Sequence, residues 1–148
     1  MDAILAAGRA IVAMAGRSLA ELDQDVTLAQ HRVLSELAER GPQRVADLAE
    51  ILNVDRSTAT RMCDRLVRKQ LVHRRRVSGD RRGVRIAVTS HGRDLVEAVA
   101  DLRRDQASEM VRRLPDETRE AALVALRAFA AAAGEAPEQA WTRGWHTP

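Results

Sequence analysis

Asp55-Arg56-Ser57-Thr58-Ala59-Thr60-Arg61-Met62-Cys63-Asp64-Arg65-Leu66-Val67-Arg68-Lys69 places Ala59, Met62, Cys63 and Leu66 on one face at three- and four-residue spacing, with Ser57, Thr58, Arg61, Arg65 and Arg68 opposite. That period predicts an amphipathic helix, and Asp55 heads it as an N-cap. The period then changes. Leu71-Val72-His73-Arg74-Arg75 and Val84-Arg85-Ile86-Ala87-Val88 are short and β-prone, and Ser78 to Gly83 between them has the Gly and Asp content of a hairpin loop. The expectation is a polar-faced basic helix followed by a two-stranded ribbon with a basic tip.

Upstream, Thr27 with Gln30 forms a capping box, so a helix runs from about Thr27 to Arg40 and stops at Gly41-Pro42. Val45, Leu48, Ala49 and Leu52 mark a short third helix, and Asn53-Val54 is a tight turn before Asp55. Ile4, Leu5, Ile11, Val12, Ala15, Leu19 and Leu22 give residues 2–22 one apolar stripe. Downstream, Thr89 or Ser90 caps a long helix to about Leu114 carrying Leu95, Val99, Leu102 and Met110. Pro115-Asp116 breaks it, and a last helix with Leu123, Leu126, Phe129 and Ala130 ends before Gly134. The pattern predicts a mainly α chain with a small β-hairpin wing, a winged helix-turn-helix flanked by N- and C-terminal dimerisation helices. Its segments are residues 1–26 (N-terminal dimerisation helix), 27–90 (DNA-binding domain), 91–134 (C-terminal dimerisation helices) and 135–148, a tail with Trp141 and Trp145 but no period. The terminal stripes are too long for a module of about 60 residues to bury, so a second copy is expected to cover them.

At 148 residues the chain fits one domain with helical extensions; 45% hydrophobic and 30% charged residues give it a core and argue against disorder. Aromatics are only 2%, too few for the stacking platforms of single-strand and RNA binders. One cysteine, Cys63, excludes an intramolecular disulfide and fits a reducing compartment; the scattered His31, His73, His91 and His146 make no pair with metal-ligand spacing. Neither metal nor cofactor is expected. Asp2, Arg9 and Arg17 are read as interrupting any N-terminal run of signal or membrane-span length, which gives a cytoplasmic protein without a membrane partner.

The formal net charge of +3 conceals a segregation. Arg56 to Arg85 holds eleven Lys/Arg against two acids, a net +9 that leaves −6 for the rest. A basic segment on an acidic frame concentrates positive potential where a polyanion binds. On a recognition helix in the major groove, Ser57, Thr58, Thr60 and Arg61 are placed to meet base edges and phosphates, Arg65 and Arg68 to hold phosphates, and the hairpin tip with Arg81 and Arg82 to enter the minor groove. Asp80 is the candidate that orients the wing arginines; the competing reading is that it serves the hairpin turn alone.

From Thr27 to Arg93 the sequence resembles the MarR family (multiple antibiotic resistance regulators). The resemblance is carried by Thr27-Leu28-Ala29-Gln30-His31-Arg32-Val33-Leu34, Val45-Ala46-Asp47-Leu48-Ala49, Asp55-Arg56-Ser57-Thr58-Ala59-Thr60-Arg61, Asp64-Arg65-Leu66, Gly79-Asp80-Arg81-Arg82 and Val88-Thr89-Ser90-His91-Gly92-Arg93. It implies a dimer joined through the terminal helices, a wing arginine at Arg82 in the minor groove and an acid at Asp64 that steadies it. The sequence departs from the family at His31, where an aromatic is usual, and near Arg44, where a Ser or Thr cap is usual.

His31 falls on the second helix, on a face toward the crevice between dimer helices and winged module, and is the candidate effector contact; the competing reading is a satisfied core histidine. Cys63, between Ala59 and Leu66 on the apolar face, reads as an inert core thiol rather than a redox sensor. The function read from these features is a sequence-specific, double-stranded-DNA-binding transcriptional regulator, a homodimeric repressor of a pseudo-palindromic operator released by a small molecule. The alternatives are a constitutive architectural DNA binder and an enzyme; against the latter stands the lack of a Gly-rich phosphate loop, a metal cluster or a nucleophile-base set.

Overall fold

The computed structural model describes residues 1–22, 25–76 and 83–134. Among the described residues six helices and a hairpin follow one another: α1 (Asp2–Glu21), α2 (Leu28–Arg40), α3 (Val45–Ile51), α4 (Arg56–Arg68), β1 (Val72–Arg76), β2 (Val84–Val88), α5 (Ser90–Arg112) and α6 (Asp116–Ala132). These are the expected elements, β1 lying one residue further on than its β-prone run. The chain divides into two compact units, Met1–Arg103 and the residues from Arg104 on.

Local chemistry sets the boundaries of the first unit. The Thr27 hydroxyl accepts the Gln30 N–H at 3.2 Å while the Gln30 side chain accepts the Thr27 N–H at 3.0 Å, the reciprocal box that starts α2. Gly41, at φ 75°, ends that helix in a conformation glycine adopts without penalty. No Ser or Thr heads α3; the Asp47 carboxylate reaches back to accept the Arg44 N–H at 3.2 Å, so the cap is supplied from inside the helix. Asn53 makes the turn into α4 at φ 52°, a left-handed position that asparagine tolerates.

The core of this unit is aliphatic. Leu34 and Leu37 of α2, Leu48 of α3, Leu66 of α4, Leu71, and Ile86 of β2 are fully buried, and α3 packs on α4 and α2 on β2. β1 and β2 pair antiparallel from Val72↔Val88 to Arg76↔Val84. Gln43 extends the pair: its N–H donates to the Ile86 carbonyl at 3.0 Å and its carbonyl accepts the Ile86 N–H at 2.7 Å. β2 is thus held on both edges, which fixes the base of the wing against the α2–α3 connection.

α1 departs from its reading as an interrupted apolar run. By length and composition this 20-residue helix is apolar enough to cross a bilayer, because its alanine-rich turns outweigh Arg9 and Arg17. Ser18 and Leu19 near its end are buried, whereas Ile4, Leu5, Ile11 and Val12 are exposed. In the second unit α6 buries none of its residues, and Val124, Leu126 and Phe129 are exposed; the Arg119 guanidinium ties its start to the preceding chain by donating to the carbonyls of Val111 and Leu114.

Candidate nucleic-acid interface

α4 presents its polar side outward because Ala59, Met62, Cys63 and Leu66 are drawn into the core. Its cap does more than start the helix. Asp55 Oδ1 accepts the Thr58 N–H at 2.8 Å and the Ser57 hydroxyl at 2.5 Å, and Oδ2 accepts the Thr58 hydroxyl at 2.7 Å. These donors, the Ser57 hydroxyl first, hold the Asp55 carboxyl well below the usual carboxylate range. The Arg61 guanidinium donates in turn to Thr58 Oγ1 at 2.9 Å, so Ser57, Thr58 and Arg61 form one chain of bonds anchored on Asp55. Sequence reasoning found the residues and missed their coupling, although an acid two and three positions before two hydroxyls is a legible sign of it. Thr60 is turned back on the helix, its hydroxyl donating to the Arg56 carbonyl at 2.8 Å.

With their protons engaged, Ser57 and Thr58 offer lone pairs outward and act as acceptors, leaving Arg61 as the donor of the group. Arg65 and Arg68, one and two turns on, are exposed and have no acid or hydrogen-bond partner among the described residues.

The Asp64 carboxylate is paired with Arg74 of β1, Oδ1 to Nη2 at 2.5 Å. The resemblance places Arg82 beside this acid; Asp80, Arg81 and Arg82 lie outside the described residues, and the partner observed is the strand arginine. Asp64 therefore ties α4 to β1. Arg85 adds a second tie, donating to the Pro42 carbonyl at 3.3 Å. Arg75 and Arg76 follow Arg74 and are exposed, so the first strand carries a run of three arginines toward the tip.

His31 lies apart from this surface, in the interior. It is 5% exposed, its Nδ1 is 3.5 Å from the Ser35 hydroxyl, and its Nε2 is buried without a hydrogen-bond partner among the described residues. Burial first, and the Arg103 charge second, lower its pKa from 6.5 to about 4, so the ring is neutral near pH 7. Cys63 is buried, and desolvation raises its pKa to about 11, which keeps it a thiol. Among the described residues no group of three or more His, Cys, Asp or Glu is placed to hold a metal ion.

The sequence profile of the MarR family matches residues 26–84, a span that encloses α2, α3, α4 and β1. The solved structure of RV1404 from Mycobacterium tuberculosis is 38% identical to this chain, with a TM-score of 0.85 and 92% of each chain covered. The chain belongs to the MarR family. Among curated MarR-like relatives, the HTH-type transcriptional repressor MdtR of Bacillus subtilis is 39% identical over 69 residues, 47% of this chain and 44% of that protein. The multiple antibiotic resistance protein MarR of Escherichia coli is 37% identical over 73 residues, 49% and 51% of the two chains. The chain thus spans about half the length of the curated relatives it matches. The MarR family is one of transcription regulators and not of enzymes.

Proposed function

We propose that the chain is a homodimeric repressor that binds a duplex operator and is released by a small molecule. The observation that carries this is α4: an outward face on which Asp55 fixes Ser57, Thr58 and Arg61 in one hydrogen-bonded group, next to a strand with three successive arginines. A rigid donor-acceptor group on a helix of this size suits base edges in the major groove, with Arg61 bidentate to guanine. Thr60 joins that surface from its flank, Arg65 and Arg68 supply charge to the flanking phosphates, and Arg81 and Arg82 at the wing tip reach the minor groove with Asp80 shaping the turn. The chain's curated relatives are bacterial, and a regulator of a bacterial chromosome works in the cytoplasm. His31, with a buried ring nitrogen that has no partner among the described residues, is the candidate contact for the releasing molecule, which acts by binding more tightly to a form whose recognition helices are wrongly spaced.

Two copies related by a two-fold axis call for a pseudo-palindromic operator with half-site centres one helical turn, about 10 bp, apart. Genome-wide mapping of bound DNA followed by footprinting checks this, and binding is expected to weaken steeply with salt as phosphate counterions are released. Equal binding to unrelated duplexes, or affinity indifferent to salt, refutes the reading.

The Asp64–Arg74 pair gives a test by sign. Removing an acid beside DNA strengthens non-specific binding on charge alone. If Asp64 positions the wing, Asp64→Ala instead lowers operator affinity, by no more than about fivefold because the pair is exposed, while affinity for random duplex rises. Electrophoretic titration on both duplexes reads the two signs; a variant that binds the operator as tightly as wild type or tighter removes the positioning role.

A further inference from the structure

A cleft of about 370 Å³ opens between the C-terminal end of α4 and the N-terminal end of α2, lined by Asp25, Thr27, Gln30, Arg65, Arg68 and Lys69. Three cations face a single acid. The Lys69 ammonium is bound to that acid, 3.1 Å from the Asp25 carboxylate and also bonded to the Asp25 carbonyl, which closes one side of the cleft. Arg65 and Arg68, one turn apart, have no acid among the described residues, so the lining keeps an uncompensated charge of about two. Basic residues in the last turn of a helix are favourable toward its dipole. That accounts for their sign, but it does not account for a concave site that adds a second helix's capping hydroxyl, Thr27, to two guanidiniums that no described acid pairs.

We propose that this cleft binds a small molecule bearing a phosphate group. Two guanidiniums match a phosphate dianion in charge and offer paired donors, and the volume, within the range of small-molecule sites, exceeds that of the anion alone and has room for the body it is attached to. The consequence for regulation rests on the DNA-binding reading above. Arg65 and Arg68 follow Arg61 on the same helix by four and seven residues, about 6 and 10 Å along its axis, where the recognition helix meets the flanking backbone. A phosphorylated ligand neutralises the charges that the backbone needs there, so ligand and duplex weaken one another's binding by the same factor.

The test uses the full-length protein with inorganic pyrophosphate as the probe and sodium chloride at matched ionic strength as the control. Calorimetric titration without DNA is expected to show saturable binding that Arg65→Gln and Arg68→Gln abolish; both residues are exposed, and far-UV circular dichroism checks that the variants keep the fold. On the operator, saturating pyrophosphate is expected to weaken wild-type binding about tenfold more than the salt control and to leave Arg68→Gln at the salt-control value. Absence of saturable binding overturns the proposal. If Arg68→Gln then also lowers the salt slope of duplex binding by about one, the cleft seats a phosphate of the DNA backbone; if the slope is unchanged, the arginines are a solvated face. Saturable pyrophosphate binding by a protein that binds no duplex sinks the regulator reading and keeps the anion site.

Discussion

Placing glutamate at both Ile4 and Ile11 is expected to convert the protein to a monomer at micromolar concentration and to weaken operator binding by about 10²- to 10⁴-fold. Ile4, Leu5, Ile11 and Val12 recur at one- and seven-residue spacing on one side of α1, about half exposed in the single chain. A helix that holds four large aliphatic side chains in water lowers its free energy by packing them against another apolar surface. Under the dimer reading that surface is a second copy. A dimer engages two half-sites in one encounter, and separating the copies removes the effective concentration that makes the second contact intramolecular. The protomer should survive, since neither residue packs into its core; circular dichroism would be unchanged while sedimentation shifts. A double variant that still sediments as a dimer and binds as wild type makes α1 a solvated arm. Wild-type protein recovered with membranes would instead point to the bilayer as the surface that α1's composition fits.

How much of this was legible in the sequence depends on how far apart the interacting groups are along the chain. The helix starts at Thr27 and Asp55 are three-residue events, complete within a window that a reader can inspect, and both appear with the partners the motif implies. The helix-turn-helix followed from periodicity, and the two strands from a change of period. The resemblance carried the family and the coarse class of transcription regulator, which the family profile and the curated relatives bear out. Contacts between elements were not readable. Asp64 meets Arg74 because β1 packs beside the C-terminal half of α4, a packing detail that no spacing rule encodes. The Gln43 bridge to β2 joins residues 43 positions apart, and the tie from Lys69 to Asp25 spans 44. His31 lies on a readable helix, yet its lack of a partner at Nε2 depends on what the other elements bring to it. The wing tip, with Asp80, Arg81 and Arg82, lies outside the described residues, and its part in the interface rests on the sequence.

Gly92→Ala is expected to destabilise the protein by about 3 kcal/mol, the upper end for overpacking, with a corresponding fall in the denaturation midpoint. A β-carbon at Gly92 would lie 2.2 Å from the Leu71 carbonyl oxygen and 2.8 Å from Val88 Cγ2. The first of these is backbone and is held in place. The same oxygen accepts the Thr89 N–H at 3.0 Å and shares the Thr89 hydroxyl proton, at 3.1 Å, with the Gln70 carbonyl at 2.8 Å, while the Gly92 N–H donates to that hydroxyl at 3.0 Å. Thr89, Gly92 and Leu71 therefore form one knot at which the first turn of α5 rests on the root of the hairpin, and only a residue without a side chain permits that approach. Alanine must push the turn outward and stretch the bonds to Leu71, or tilt the hairpin that bears Arg74 to Arg76. Within the single protomer the same substitution at Gly8 or Gly16, where a β-carbon meets nothing within 4 Å, removes the helix-propensity cost of glycine. Both lie on the α1 stripe with Ile4 and Val12, so the comparison is made on the Ile4→Glu, Ile11→Glu background, where the midpoint should be unchanged or higher. Urea denaturation of the three variants separates the steric cost from the propensity term. A Gly92→Ala protein as stable as the Gly8→Ala control would mean that α5 does not rest on the hairpin in solution, and the route by which β1, β2 and the wing are fixed to the helical body would have to be found elsewhere.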